Sequence, residues 1–427
     1  MELLLLFGLM LVLIFFGMPV VFSIGLSAFV VILLLGNIPL SIIPSLLISE
    51  LNSFTFVAIP LFILAGELLN EGSLTDKIVS FSKALVGSVR GGLAHVNVVA
   101  SMLFGGISGS TTADTAAIGP VLIPSMVKSG YHRDFSVSLT VTSSTIGGII
   151  PPSIMMIILG ALTGQSIGQL FLGGIIPGII IGAGLLITSY LICIKRDYKE
   201  KEPFSWPKVK ETGKKAIWAT LVPLAIILGI TTGTTTASEA GVLAVVLSLF
   251  IGVFIYKEIN SFAKLKKVCV NTALTSSMVM LLLAFSTLFA EVLFRLRFQE
   301  QVSAFLQSLT TDPFLIILLL VLFIFIIGMF IDTVVILMLF SLPFMQIAVD
   351  FGFDPIHFGL IMIMTSFISA LTPPVGVLLF LGCAIGEISV MKVLRIHSVF
   401  IATLFIVVLL VVIFPGLVTF LPHNFMD

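Results

Sequence analysis

Apolar residues come in long runs broken by short polar stretches, and the runs have the length of membrane crossings. Segments 3–17, 19–36, 54–70, 167–194, 216–233, 237–256, 268–293 and 397–420 each read as one crossing. A hydrocarbon core ~30 Å thick needs ~20 apolar residues per helix, and these runs approach that length. Two stretches, 91–126 and 313–349, are too long for a single crossing and carry glycine or a polar cluster at mid-length. They read as re-entrant hairpins that enter and leave on the same side. Segments 136–163 and 356–386 each contain a double proline and read as interrupted crossings. Stretches 71–90 and 294–310 are amphipathic and read as interfacial arms.

Composition and charge agree with this pattern. Of the 427 residues 58% are apolar and 10% charged, whereas a soluble domain carries about a quarter of its residues charged. Apolar runs continue to the C-terminal end, so the first one is not a secretory leader. Zero net charge gives no field for nucleic acid, and Cys193, Cys269 and Cys383 lack metal-binding spacing. With loop 195–215 cytoplasmic, all 21 lysines and arginines except Arg295 and Arg297 fall on the inner side. The positive-inside rule expects such a bias. Both termini then lie outside, and the hairpins open to opposite faces.

Opposed hairpins imply an inverted repeat. Shifted by 222, Gly106 falls on Gly328, Gly130 on Gly352, Ser144 on Ser366 and Pro151-Pro152 on Pro373-Pro374. Near the start the shift is 216, which pairs Gly17 with Gly233 and Gly25 with Gly241. Residues 1–195 form the first repeat, 196–215 a cytoplasmic linker and 216–427 the second repeat. The fold class is therefore all-α integral membrane protein with two re-entrant hairpins and two interrupted helices.

Chemistry concentrates at the double prolines. Proline donates no backbone hydrogen bond and clashes with the carbonyl four residues earlier. Pro151 and Pro152 thereby release the carbonyls of Gly147 and Gly148, and Pro373 and Pro374 those of Ser369 and Ala370. A bare carbonyl in hydrocarbon costs several kcal/mol unless protein, water or an ion meets it. Hydroxyls stand beside each break: Thr142, Ser143, Ser144 and Thr145 in one half, Thr365, Ser366, Ser369 and Thr372 in the other. Oxygen ligands without a carboxylate suit a hard monovalent cation, sodium best of all. A plain proline kink patched by serine and threonine has the same local sequence, but the recurrence in symmetric positions favours an ion.

The hairpin tips supply a second wall. The first reads Gly105-Gly106-Ile107-Ser108-Gly109-Ser110-Thr111-Thr112-Ala113-Asp114, glycines for a tight turn and then a helix N-terminus that attracts an anion. In the second, Asp332-Thr333 is a good N-cap pair, and Asp332 matches Ser110. An ionisable residue at this depth is a functional candidate, here for substrate hydroxyl or amide groups or for ordering an ion site. Asp114 is as well explained by an interhelical hydrogen bond as by function. Glu239 caps a helix at the outer interface, and Glu67 and Glu291 correspond loosely between the halves.

The glycine-serine cluster at 105–114, the two Pro-Pro breaks, the Ser-Glu-Ala segment at 238–240 and the hairpin at 328–332 together resemble the large membrane subunit of tripartite ATP-independent periplasmic (TRAP) transporters. The resemblance spans essentially the whole chain. It implies an elevator-type secondary transporter, not an enzyme, in a bacterial inner membrane. Two or more sodium ions would be cotransported with a carboxylate substrate, sialic acid or a C4-dicarboxylate, delivered by a periplasmic binding protein. A small subunit of about four helices is also implied, expected as a separate chain. Carried over, the first sodium site falls around Ser108, Ser110, Ser144, Gly147 and Pro151. The second falls around Gly328, Thr365, Ser366, Ser369 and Thr372, with substrate touched by Ser110, Ser153 and Asp332. Sialic acid is preferred because Asp332 offers a partner to a hydroxyl-rich molecule. Ala237-Ser238 departs from the family's usual Thr-Pro or Pro-Thr, far from the site. The rival is an autonomous carrier of related architecture with no binding protein. In the elevator reading the hairpins and broken helices move as one block past a scaffold of 3–70, 167–256 and 397–420.

Overall fold

The computed structural model describes residues 2–36, 39–71, 74–198 and 203–426; Lys199 and Lys201 of the linker lie outside the described residues. Every regular element among them is helical. The first half comprises α1 (Glu2–Phe15), α2 (Val20–Leu35), α3 (Ile42–Leu51), α4 (Ala58–Glu71), α5 (Leu74–Val86), α6 (Gly92–Ser108), α7 (Thr111–Lys128), α8 (Arg133–Ser143), α9 (Ile154–Thr163) and α10 (Ile167–Lys195). The second comprises α11 (Trp206–Thr231), α12 (Ala237–Phe250), α13 (Phe262–Arg295), α14 (Phe298–Leu309), α15 (Pro313–Gly328), α16 (Thr333–Asp350), α17 (Pro355–Ala370), α18 (Val377–Ile385), α19 (Val390–Ile413) and α20 (Gly416–Phe425). Large apolar side chains such as Leu34, Ile187, Phe254 and Ile406 are exposed, as a lipid-facing surface requires.

Local signals fix the element boundaries. Thr236 and Glu239 form a reciprocal capping box at the start of α12. Asp354 accepts from the His357 amide at 2.8 Å, and Pro355 fills the first helical position of α17, where its missing N–H does no harm. Gly130 and Gly352, matched on the 222 shift, end the two hairpins with φ of +89° and +84°. Both are left-handed turns in which a side chain would be strained.

The hairpins form as expected, α6 with α7 and α15 with α16. The broken crossings are α8 with α9 and α17 with α18, and a short 3-10 turn at Ser144–Gly148 follows α8. Two elements depart from the sequence expectation. Helix α3 lies in the unassigned stretch between 36 and 54, and with α4 it packs on the long α13. The run 397–420 is split after α19, because Pro415 restricts Phe414 to an extended backbone and supplies no amide to continue the helix.

Packing sorts the helices into two groups. Helices α1 to α4 and α11 to α13 pack on one another. The hairpins and broken helices form the other group, in which α16 packs on α9 and α18 on both α7 and α8. Helix α10 packs on α6, α19 and α20, and α19 packs on α8 and α17. Segments 167–195 and 397–420 therefore pack with the hairpins, not with the scaffold in which the elevator reading placed them. Hydropathy reports burial in lipid and carries no information on which neighbour covers a face. The amphipathic helices bridge the groups: α5 touches α11 and α6, and α14 touches α13 and α16. Small residues let the groups approach closely, as where Gly66 of α4 faces the Ser108 backbone.

Candidate ion and substrate site

The tip of the first hairpin is built on backbone proximity. Helix α6 ends at Gly109, whose φ of +60° lets its amide turn back to the Gly105 carbonyl at 3.0 Å. Ser110 then caps α7 by accepting from the Ala113 amide. Gly105 crosses Gly147 so closely that a methyl group on Gly105 would overlap the Gly147 backbone. The Ile154 amide donates to the Gly109 carbonyl at 3.2 Å, so the residues after the prolines are fastened to the tip.

At the first break the amides of Ile149 and Ile150 both donate to the Ile146 carbonyl, at 3.0 and 2.8 Å. The next two residues are prolines, so the Gly147 carbonyl gains no donor from residues 149–152. The Gly148 carbonyl, also released by proline, is met by the Ser153 hydroxyl at 2.6 Å. Ser144 spends its proton on the Thr140 carbonyl at 2.8 Å, and Ser366 repeats this on Met362 at the same distance. Each hydroxyl so oriented keeps its lone pairs for another partner. Both prolyl bonds, Pro151-Pro152 and Pro373-Pro374, are cis.

The second break follows the same plan with different detail. Gly328 meets Ser369, the position matched to Gly147, although in the first half Gly147 is met by Gly105 and not by Gly106; a methyl group on Gly328 would collide with the Ser369 hydroxyl. The Val375 amide donates to the Met329 carbonyl at 3.0 Å, matching the first fastening. The Ser366 carbonyl accepts from Ser369 at 2.7 Å and from Thr333 at 3.2 Å. The released Ser369 carbonyl is not bare: the chain tightens, and the Thr372 amide reaches it at 2.9 Å. Only Ala370 keeps a carbonyl that Pro373 and Pro374 leave unmet in the helical pattern. His397 of α19 closes the Leu371 carbonyl through Nε2 at 3.0 Å. The Thr365 hydroxyl is buried and has no partner.

Between the tips lies a cavity of about 160 Å³ lined by Ser110, Thr111 and Thr112 of the first hairpin and Asp332 and Thr333 of the second. Ile63, Thr275 and Val279 of the other helix group complete the wall, so the cavity sits where the groups meet. The N-termini of α7 and α16 both reach it, and free amides there favour an anion. Asp332 accepts from the Val334 amide at 2.9 Å, confirming its capping place. Ser153 is fully buried and does not line this cavity; it is engaged with Gly148 behind the wall. Asp114 is fully buried with Ser101 and Ser144 beside its carboxyl group, and neither carboxyl oxygen has a partner at full hydrogen-bond geometry. Phe367, which sequence reasoning passed over, packs on Gly148 and joins the two breaks. Thr275 was also missed, since nothing local sets it apart from the neighbouring hydroxyl residues Thr272, Ser276 and Ser277 of α13.

The donor set suits a hard cation. Among the described residues no three of His, Cys, Asp and Glu converge, so an ion here is met mainly by carbonyls and hydroxyls. The unmet Gly147 carbonyl and the unpartnered Thr365 hydroxyl are the groups a sodium ion would satisfy.

Residues 7–417 match the family model described as tripartite ATP-independent periplasmic transporter, DctM component. The chain is 35% identical over 416 residues to the sialic acid TRAP transporter large permease protein SiaM of Vibrio cholerae, covering 97% of each. It is 32% identical to the C4-dicarboxylate TRAP transporter large permease protein DctM of Pseudomonas aeruginosa, covering 94% of each. Its fold is similar to the crystal structure of the Alcanivorax borkumensis YdaH transporter, with TM-score 0.65 over 87% of each chain at 14% identity.

Proposed function

The chain belongs to the DctM-component family of tripartite ATP-independent periplasmic transporters, a transport protein and not an enzyme. From that premise we propose that it performs sodium-coupled uptake of a small carboxylate across a bacterial inner membrane. The observation that carries the proposal is the pair of proline breaks facing two hairpin tips, with the Gly147 carbonyl left for a cation. One sodium ion is assigned to Ser108, Ser110, Ser144, Gly147 and Pro151. A second is assigned to Gly328, Thr365, Ser366, Ser369 and Thr372.

Substrate binds in the cavity between the tips, its carboxylate against the amides at the start of α7 and its hydroxyl or amide groups against Ser110 and Asp332. Ser153 acts behind the wall by holding the Gly148 carbonyl. Sodium is bound first, because the bare carbonyls and the hydroxyl lone pairs that form the ion sites also set the tips in place. The block of hairpins, broken helices, α10 and α19 then slides past the scaffold while α5 and α14 hold it at its edges. Each net charge moved inward gains ~2.3 kcal/mol per 100 mV. The substrate class is sialic acid or a C4-dicarboxylate, sialic acid preferred, since the relatives carry those names. A periplasmic binding protein delivers it, and a small membrane subunit completes the assembly.

Counterflow in proteoliposomes with sodium replaced by potassium tests the coupling. Uptake is expected to stop, and uptake that continues unchanged would end the sodium assignment. Omitting the binding protein separates this reading from an autonomous carrier, which would transport without it.

A further inference from the structure

The inverted repeat is an internal control on which polar residues the architecture needs. On the 222 shift Asn97, Ser101 and Asp114 of the first hairpin meet Leu319, Phe323 and Ile336 of the second, and Thr140 meets Met362. The same backbone thus packs with apolar side chains at all four places. Nothing in the fold calls for polar groups there.

In the first half those residues form a continuous buried thread. Asn97 Nδ2 donates to Thr140 Oγ1 at 2.6 Å, Ser143 Oγ to Asn97 Oδ1 at 3.0 Å, and Ser101 Oγ to Ser143 Oγ at 3.2 Å. Asp114 stands at its end, fully buried, with no partner at full hydrogen-bond geometry for either carboxyl oxygen. Its Oδ2 lies 3.7 Å from the Cβ that an alanine at position 147 would carry. Ser101 and Ser144 lie within hydrogen-bonding reach of the carboxyl group, and their hydroxyls also reach Ser143 and the Thr140 carbonyl. A buried carboxylate without an ion pair is costly, and a cation held between it and the open Gly147 carbonyl would offset that cost.

We propose that Asp114 is the anionic ligand of the first-half cation site, so that one sodium ion is held by a formal charge and the other by dipoles alone. This rests on the sodium reading above and adds a difference between the two ions. Position 114 in the first half carries the charge, and its counterpart Ile336 carries none. The first-half site therefore binds more tightly and fills first. The second-half site, made of Gly328, Thr365, Ser366, Ser369 and Thr372 oxygens, sets the sodium concentration at which transport saturates.

The test follows the melting temperature of the purified full chain in detergent against sodium chloride, with potassium chloride holding ionic strength constant. The parent chain is expected to show two sodium-specific phases. Asp114→Asn should move the tighter phase to about tenfold or more higher sodium, while Ser369→Ala should move only the weaker one. An Asp114→Asn chain that titrates like the parent overturns the role of Asp114 and leaves the sodium reading standing. No sodium-specific phase in the parent overturns both. Should Asp114→Asn fail to fold, Ser101→Ala, which keeps the carboxylate but removes a facing oxygen, must weaken the tighter phase; an unchanged titration overturns the proposal.

Discussion

A single methyl group added at Gly105 should damage the first ion site without replacing any of its ligands. The Cβ of an alanine there would overlap the Gly147 Cα and stand 2.9 Å from the Gly147 nitrogen and 3.4 Å from its carbonyl carbon. These are backbone atoms, and no rotamer change can move them aside. Hairpin and break must separate, and overpacking of this kind costs about 1–3 kcal/mol, toward the upper end against backbone. Alanine recovers up to about 1 kcal/mol of helix propensity, chiefly in the unfolded state. A net cost of about 2 kcal/mol charged to the ion-bound geometry weakens sodium binding about 30-fold. The neighbouring Gly106 is the control, since its added methyl would meet nothing nearer than the Pro151 carbonyl oxygen at 3.4 Å, an ordinary contact. Uptake into proteoliposomes measured against sodium concentration reads the effect, with melting temperature as a check on folding. Gly105→Ala with the parent's half-saturating sodium and melting temperature would refute the claim that this crossing shapes the site.

Three further outcomes are expected. Asp332→Ala removes the cap on the Val334 amide, worth about 1 kcal/mol, and should raise the KM for substrate while leaving half-saturating sodium near the parent value; an unchanged KM removes Asp332 from the cavity chemistry. Lys77 on arm α5 pairs with Glu258 at 2.8 Å and sits 3.9 Å from the Tyr256 ring centroid, so Lys77→Ala should lower the maximum uptake rate without changing sodium affinity, as rate and affinity measured together will decide. Burial alone would raise the Asp134 carboxyl, but Arg196 donates to both of its oxygens at 2.9 Å and holds it below the usual carboxylate range. A lowered folded-state value contributes stability above the unfolded one and loses it as pH falls through the folded value. Asp134→Asn should therefore lower the melting temperature at neutral pH by the equivalent of about 1 kcal/mol, and the gap from the parent should close on strong acidification; a gap constant with pH would exclude the ion pair as its cause.

Much of the architecture was legible along the chain because each signal was local. Apolar run length set the crossings, and Gly130, Gly352 and the two Pro-Pro pairs marked the ends and breaks. Asp332 and Glu239 announced helix starts through side chains that act within two or three residues of their own backbone. What remained hidden was the allocation of hydrogen bonds among groups distant in sequence. Proline chemistry released four carbonyls on paper. Folding returned donors to those of Gly148 and Ser369, from Ser153 and from Thr372, and left Gly147 open because Ile149 and Ile150 both chose Ile146. The placing of α10 and α19 beside the hairpins was likewise undetermined, since an apolar face looks the same against lipid and against a neighbouring helix. Asp114 and Ile336 share a place in the repeat. Only the packing, which brings Ser101, Ser144 and Gly147 around the buried carboxyl group, sets that difference of one residue beside the carbonyl to which the first sodium ion is assigned.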